Sequence, residues 1–199
     1  SSTDVSLSGT GVASGSLSVA KTGGNGTGSE GSSSGFAASW SGGGSTSGSD
    51  AIIVVVYGNL EQSTTYTASN ITDSAGNTYH LDKTITHPHA GNVYVFSCLD
   101  ATAASSVTVT PPAYDDFQFV AMEAEGLATS SALDKAGTVH DNGYYGSGSP
   151  EDWTTNASGT LATEPELVLA VNADPYGTIT AFSGTGYTQE VLRASVSGE

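Results

Sequence analysis

The sequence predicts an all-β chain, an antiparallel β-sandwich of jelly-roll or immunoglobulin-like type with almost no helix. Three observations carry that prediction. The run Ile52-Ile53-Val54-Val55-Val56-Tyr57 is apolar, rich in β-branched residues and of strand length. Leaving such a run open to water would forfeit ~1.5–3 kcal/mol per large side chain, so it belongs in a central strand covered on both faces. Elsewhere, segments of alternating or apolar character are separated by Gly, Asn, Asp and Pro at the roughly 8–12-residue spacing of sandwiches and barrels. Helical signals are weak: Met122-Glu123-Ala124-Glu125 continues an alternating strand and stops at Gly126, and Thr, Val, Tyr and Gly outweigh the helix formers.

In chain order, residues 1–49 hold half of the 26 glycines. Within them Asp4–Ser8 and Ser16–Val19 alternate apolar with polar, and Phe36–Trp40 does so more loosely. This segment reads as a Gly/Ser-rich extension with short strands, a donor or neighbour-domain strand, ahead of a sandwich domain over 50–199. Strands are predicted near 51–58, 65–72, 78–85, 92–99, 105–110, 116–125, 132–140, 157–161, 166–173, 178–183 and 187–196. The turn Asp73-Ser74-Ala75-Gly76-Asn77 combines residues that bond their own backbone with one that accepts positive φ, and it reads as a hairpin tip.

Twenty acidic residues against four basic ones give a net charge of −16. Such a surface repels phosphate backbones and anionic headgroups, which sets nucleic acid aside as a partner. No stretch reaches the ~20 apolar residues of a membrane helix, so direct membrane insertion is not expected. Cys98 stands alone, within an apolar strand, so neither an intrachain disulfide nor a cysteine zinc cluster is expected. An acidic, disulfide-free β chain without a basic-then-apolar opening segment suits a processed exported protein or a piece of a longer one.

The succession Ile53–Val56, Ile71-Thr72-Asp73-Ser74-Ala75-Gly76-Asn77-Thr78-Tyr79, Val93–Phe96, Val107–Thr110, Val120–Leu127, Glu166–Ala170 and Gly186–Thr188 resembles a β-sandwich module of large secreted and surface-exposed bacterial proteins. The resemblance covers about three quarters of the chain, and the TDSAGNTY stretch is its most specific part. Val5–Val12 is similar to the closing strand of choice-of-anchor D or Hydin-like immunoglobulin-like domains. Membership would imply adhesion, structural spacing or polymer formation, with no catalytic residues to carry across. Against that pattern the end Val191–Glu199 is short by a strand and the first fifty residues are long, which implies an open edge or slot.

Candidate chemistry is sparse. Gly31-Ser32-Ser33-Ser34-Gly35 fits the nucleophile pattern G-x-S-x-G, but without the strand before it and the helix after it. Glu123 and Glu125 point to one face of a strand, as glycanase acid pairs do, yet Ala128 stands where a further acid would be needed. Glu123 also matches a glutamate of the resembling module, which implies a structural hydrogen bond. His80, His87 and His89 cluster in sequence with Asp82, and His87-Pro88-His89 can present two imidazoles to a transition metal. Asp115 and Asp116 supply oxygen ligands, with Asp141, Asn142, Glu151 and Asp152, so calcium is a candidate cofactor ahead of a transition metal.

The loop carrying Asp141, Tyr144, Tyr145, Asp152 and Trp153 mixes aromatics, acids and glycines as sugar-binding surfaces do. Asn25, Asn70 and Asn156 open N-glycosylation triplets. Val5, Leu7, Leu17 and Val19 are the candidate polymer contacts, because strand addition from one copy would fill an open edge of the next. These observations lead to a non-catalytic secreted or cell-surface β-sandwich module, structural or adhesive, whose partners are copies of itself or neighbouring modules. A filament built by donor-strand complementation is its assembled form. The alternative is a carbohydrate-binding module of a secreted protein, with polysaccharide as the partner.

Overall fold

The apolar run of the sequence becomes β4 (Asp50–Gly58), the middle strand of the molecule. A computed structural model describes residues 2–8, 18–28, 35–58, 64–87, 91–112, 117–130, 133–136 and 166–172, and among these the chain is an all-β antiparallel sandwich. Before β4 come β1 (Ser2–Ser8), β2 (Ser18–Gly28) and β3 (Phe36–Ser39). After it come β5 (Ile71–Asp73), β6 (His80–His87), β7 (Gly91–Ala101), β8 (Ser106–Val109), β9 (Phe117–Glu125), β10 (Leu133–Ala136) and β11 (Glu166–Asn172). They form a five-stranded sheet in the order β2-β9-β4-β7-β6 and two three-stranded sheets, β3-β8-β5 and β10-β1-β11.

Alternation along β4 explains why the five-stranded sheet needs a layer on each face. Ile52, Val54 and Val56 point one way, into a core with Tyr94, Phe96, Phe117, Phe119, Val107 and Val109 beneath the β3-β8-β5 sheet. Ile53 and Ala51 point the other way, into a core with Val93, Val95, Ile85, Met122 and Leu169. Leu133 of β10 and Leu167 of β11 pack against that second core, so the β10-β1-β11 sheet covers it. Tyr66 joins the first core by tilted ring contacts with Tyr94 and Phe117 at 5.4 and 5.9 Å.

The N-terminal segment is woven into these sheets. β1 lies between β10 and β11, β2 pairs with β9, and β3 pairs with β8. The Gly/Ser-rich extension thus shares its sheets with strands from the 50–199 region.

Two local expectations are corrected. The strand expected over 65–72 is reduced to Ile71–Asp73, because Thr67 and Asn70 close a reciprocal capping box around the 3-10 turn Ala68–Asn70. The TDSAGNTY turn is not a hairpin tip: β5 pairs with β8 and β6 pairs with β7, so the turn carries the chain from one sheet to another. Its side chains say why. Asp73 accepts four hydrogen bonds, from Ala75 N, Asn77 N, Asn77 Nδ2 and the Tyr79 hydroxyl, at 2.8–3.1 Å. Asn77 then grips the distant Thr102 peptide at both ends, donating to its carbonyl and accepting from its N–H, each at 2.8 Å. Gly76 supplies the positive φ, +75°, that the turn requires.

Candidate functional site

Among the described residues β6 is an edge strand, and an edge needs a device that blocks further pairing. Here the device is a bulge between Leu81 and Lys83: His80 sits opposite Ser97 and Leu81 opposite Phe96, while Lys83 is already opposite Val95. Asp82 is the extra residue. The bulge resets alternation so that Ile85 still reaches the second core, and it leaves Leu81 41% exposed, the large hydrophobic most open to solvent among the described residues.

The bulge also gathers polar groups. Thr78, His80, Asp82, Ser97, Leu99, Thr129, Ser130 and Leu133 line a groove of about 420 Å³ between β6 and the connection from β9 to β10. Ser97 is buried and bonds its hydroxyl to the Asp82 carboxylate. Burial pushes the Asp82 carboxyl above its ordinary range, against the lowering pull of the Ser97 hydrogen bond and of the nearby His80 imidazole. The second oxygen, Oδ2, is covered and has no hydrogen-bond partner among the described residues. An acid, an imidazole and a hydroxyl thus share one groove, but not in the order of nucleophilic catalysis. That order needs the imidazole between acid and hydroxyl, whereas Ser97 donates straight to Asp82 and is 3% exposed.

A second acidic group lies at the far end of β9. Glu123 is fully buried and accepts the Ser47 N–H on Oε1, while Oε2 lacks a partner among the described residues. This bond ties the 40–49 loop to the sheet. The loop is also held by the Trp40 indole N–H on the Ala104 carbonyl at 2.7 Å and by Thr46 Oγ1 accepting the Ala104 N–H at 2.8 Å. Beside it burial, then the neighbouring Glu125 charge, raise the Asp50 carboxyl. Among the described residues no set of three His, Cys, Asp or Glu side chains is placed to hold a metal ion.

The sequence-based candidates scatter. Asp115, Asp116, His89, Asp141, Tyr144, Tyr145, Asp152, Trp153, Asn156 and Leu17 lie outside the described residues. His80 and His87 begin and end β6, so at ~3.3 Å per residue they stand about 23 Å apart and cannot share an ion. Asn25 falls in β2. Asn70 spends its side chain on the fold: Oδ1 accepts from Thr67 N and Oγ1, and Nδ2 donates to the Thr110 carbonyl at 2.9 Å. A glycan on that nitrogen would displace the last bond. Val5 and Leu7 lie in β1, inside a sheet of their own chain, and Val19 of β2 packs on the second core.

What sequence reasoning missed is Ser97. His80 and Asp82 stand out as a short-range pair, but the serine joins them through cross-strand register, and the bulge that makes Asp82 the extra residue has no mark in the sequence. The chain matches no family model, and no curated protein or solved structure is similar to it.

Proposed function

We propose that this chain is a non-catalytic, extracellular structural or adhesive β-sandwich module whose copies join head to tail, β1 of one copy lying between β10 and β11 of the next. The observation that supports this reading is the position of β1. It is the middle strand of its sheet, and among the described residues β10 and β11 pair with it and not with each other. Its pairing with β11 runs through seven residues, from Ser2 opposite Asn172 to Ser8 opposite Glu166. Withdrawal of β1 would leave a slot one strand wide above an apolar core. The same strand from another copy offers the same register and the same side chains, so exchange costs little beyond the entropy of association. Residues 9–17 connect β1 to β2 and set the reach of the exchange.

A cysteine pair reads the exchange directly. Asp4 lies opposite Ala170, so Asp4→Cys with Ala170→Cys, oxidised after concentration, should give a ladder of covalent oligomers on a non-reducing gel and strings of particles in negative stain. Cross-linked monomer alone at every concentration, with single particles in the images, would overturn the proposal.

A further inference from the structure

The groove beside β6 has a feature that scaffolding does not use: a carboxylate with an acceptor to spare. We propose that it is a binding site for a primary ammonium group on a short aliphatic stem, held by Asp82. Asp82 lines the groove, one of its oxygens is taken by Ser97, and Oδ2 has no donor among the described residues. An acceptor kept from water without a donor costs free energy, and a ligand that brings an N–H recovers it. Oδ2 is covered, so the ligand reaches the carboxylate by a turn about χ2 of Asp82 that gives up the Ser97 bond, and the charge-assisted N–H bonds of the ammonium replace that neutral donor.

The rest of the lining selects among donors. A primary ammonium has three N–H groups to place, and the exposed hydroxyls of Thr78, Thr129 and Ser130 offer further acceptors around the carboxylate. Leu99 and Leu133, each part-buried, give the stem an apolar wall. Among the described residues the groove is lined by no aromatic ring, the surface that sugar stacking uses. Asp82 and His80 are too few ligands to hold a metal ion, in line with the absence of a metal-holding set among the described residues. The net charge of −16 adds a field that draws cations at low salt. Two sources carry this chemistry, a free alkylamine and a lysine side chain of another protein.

The test is a backbone-amide NMR titration with n-butylammonium chloride, following His80, Asp82, Ser97, Thr129 and Ser130. Saturable shifts at these amides are expected. n-Butanol, with the stem but no charge, and tetramethylammonium, with the charge but no N–H, should leave them in place. Asp82→Asn should weaken n-butylammonium about tenfold or more, the scale of a lost charge-assisted hydrogen bond. The N-acetyl, N-methylamide derivative of lysine separates the sources: equal or tighter binding points to a protein lysine, weaker binding to a free amine. Equal shifts from tetramethylammonium, or no saturable shift from n-butylammonium, would overturn the proposal. Those wild-type comparisons decide even if Asp82→Asn fails to fold, and they read the groove whether or not β1 exchanges between copies.

Discussion

Asp73 and Asp82 are nine residues apart, carry the same side chain, and stand at the two ends of one sheet crossing, yet they are treated in opposite ways. Burial raises the Asp73 carboxyl, but hydrogen bonds from Asn77, Tyr79 and Ala75 outweigh it and hold the group below its ordinary range. At Asp82 burial wins, with Ser97 and His80 in opposition, and the group lies above that range. The difference is in the number of donors. Asp73 has its acceptors filled by its own turn, so it has nothing left for a ligand. Asp82, placed by a bulge in β6, has among the described residues one donor and an oxygen without a partner. A saturated carboxylate marks where the fold is pinned, and an unsaturated one marks where something else can attach.

The largest effect that would break this comparison is expected at Asp73. Asp73→Ala removes the acceptor for four hydrogen bonds and should cost about 2–4 kcal/mol, given ~0.5–1.5 kcal/mol for a typical bond and more to a charged group, with incomplete additivity. Urea unfolding monitored by tryptophan fluorescence reads it, and Trp40, buried in the first core, is a fitting reporter. A loss under about 0.5 kcal/mol, the range of ordinary surface changes, would show that the turn does not pin the two sheets.

A smaller loss is expected at Asn77→Ala. The side chain donates to and accepts from Thr102, and its Nδ2 also serves Asp73. The Thr102 groups are exposed enough for water to replace the lost bonds, so the cost should be about 1–2 kcal/mol. Combining Asn77→Ala with Asp73→Ala should cost less than the sum of the two, since the pair share a bond. Strict additivity would show that the clamp on Thr102 works independently of the Asp73 hub.

Legibility in the sequence follows the same division between local and non-local causes. The Ile52–Val56 run announced a strand covered on both faces, and two cores lie on its two sides. The segments near 92–99, 105–110, 116–125 and 166–173 became β7, β8, β9 and β11, because alternation and β-branching are properties of the strand itself. The TDSAGNTY turn was legible as a turn, since Asp73 and Asn77 bond within their own neighbourhood. Its path from sheet to sheet was not, since that depends on Thr102 and Ser105 far along the chain. Glu123 was legible as one of two acids on a strand face, but its burial against Ser47 required a loop 76 residues away to close over it. The groove was least legible: it needs a one-residue slip in pairing between β6 and β7, and register belongs to two strands at once.

The smallest effect expected is also the sharpest test, because its sign differs between the two aspartates. The folded-state value of Asp73 is lowered, so its contribution to stability is present above the unfolded carboxylate value of about 3.9 and is lost as pH falls through the folded value. The folded-state value of Asp82 is raised, so its contribution is present at low pH and is lost as pH rises from about 3.9 through the folded value. Asp82→Asn keeps an acceptor for Ser97 and removes the desolvated charge. It should therefore flatten the fall in stability just above pH 4 and leave the neutral protein as stable or slightly more so. Solvent screening at this part-exposed site keeps the gain within about 1 kcal/mol. Asp73→Asn should instead remove stability at neutral pH and little at the acid end. Urea midpoints of the three proteins across acid and neutral pH supply the comparison. If Asp82→Asn were to lose stability at neutral pH as Asp73→Asn does, the Asp82 charge would be satisfied within the fold, and the groove would have no acceptor to spare.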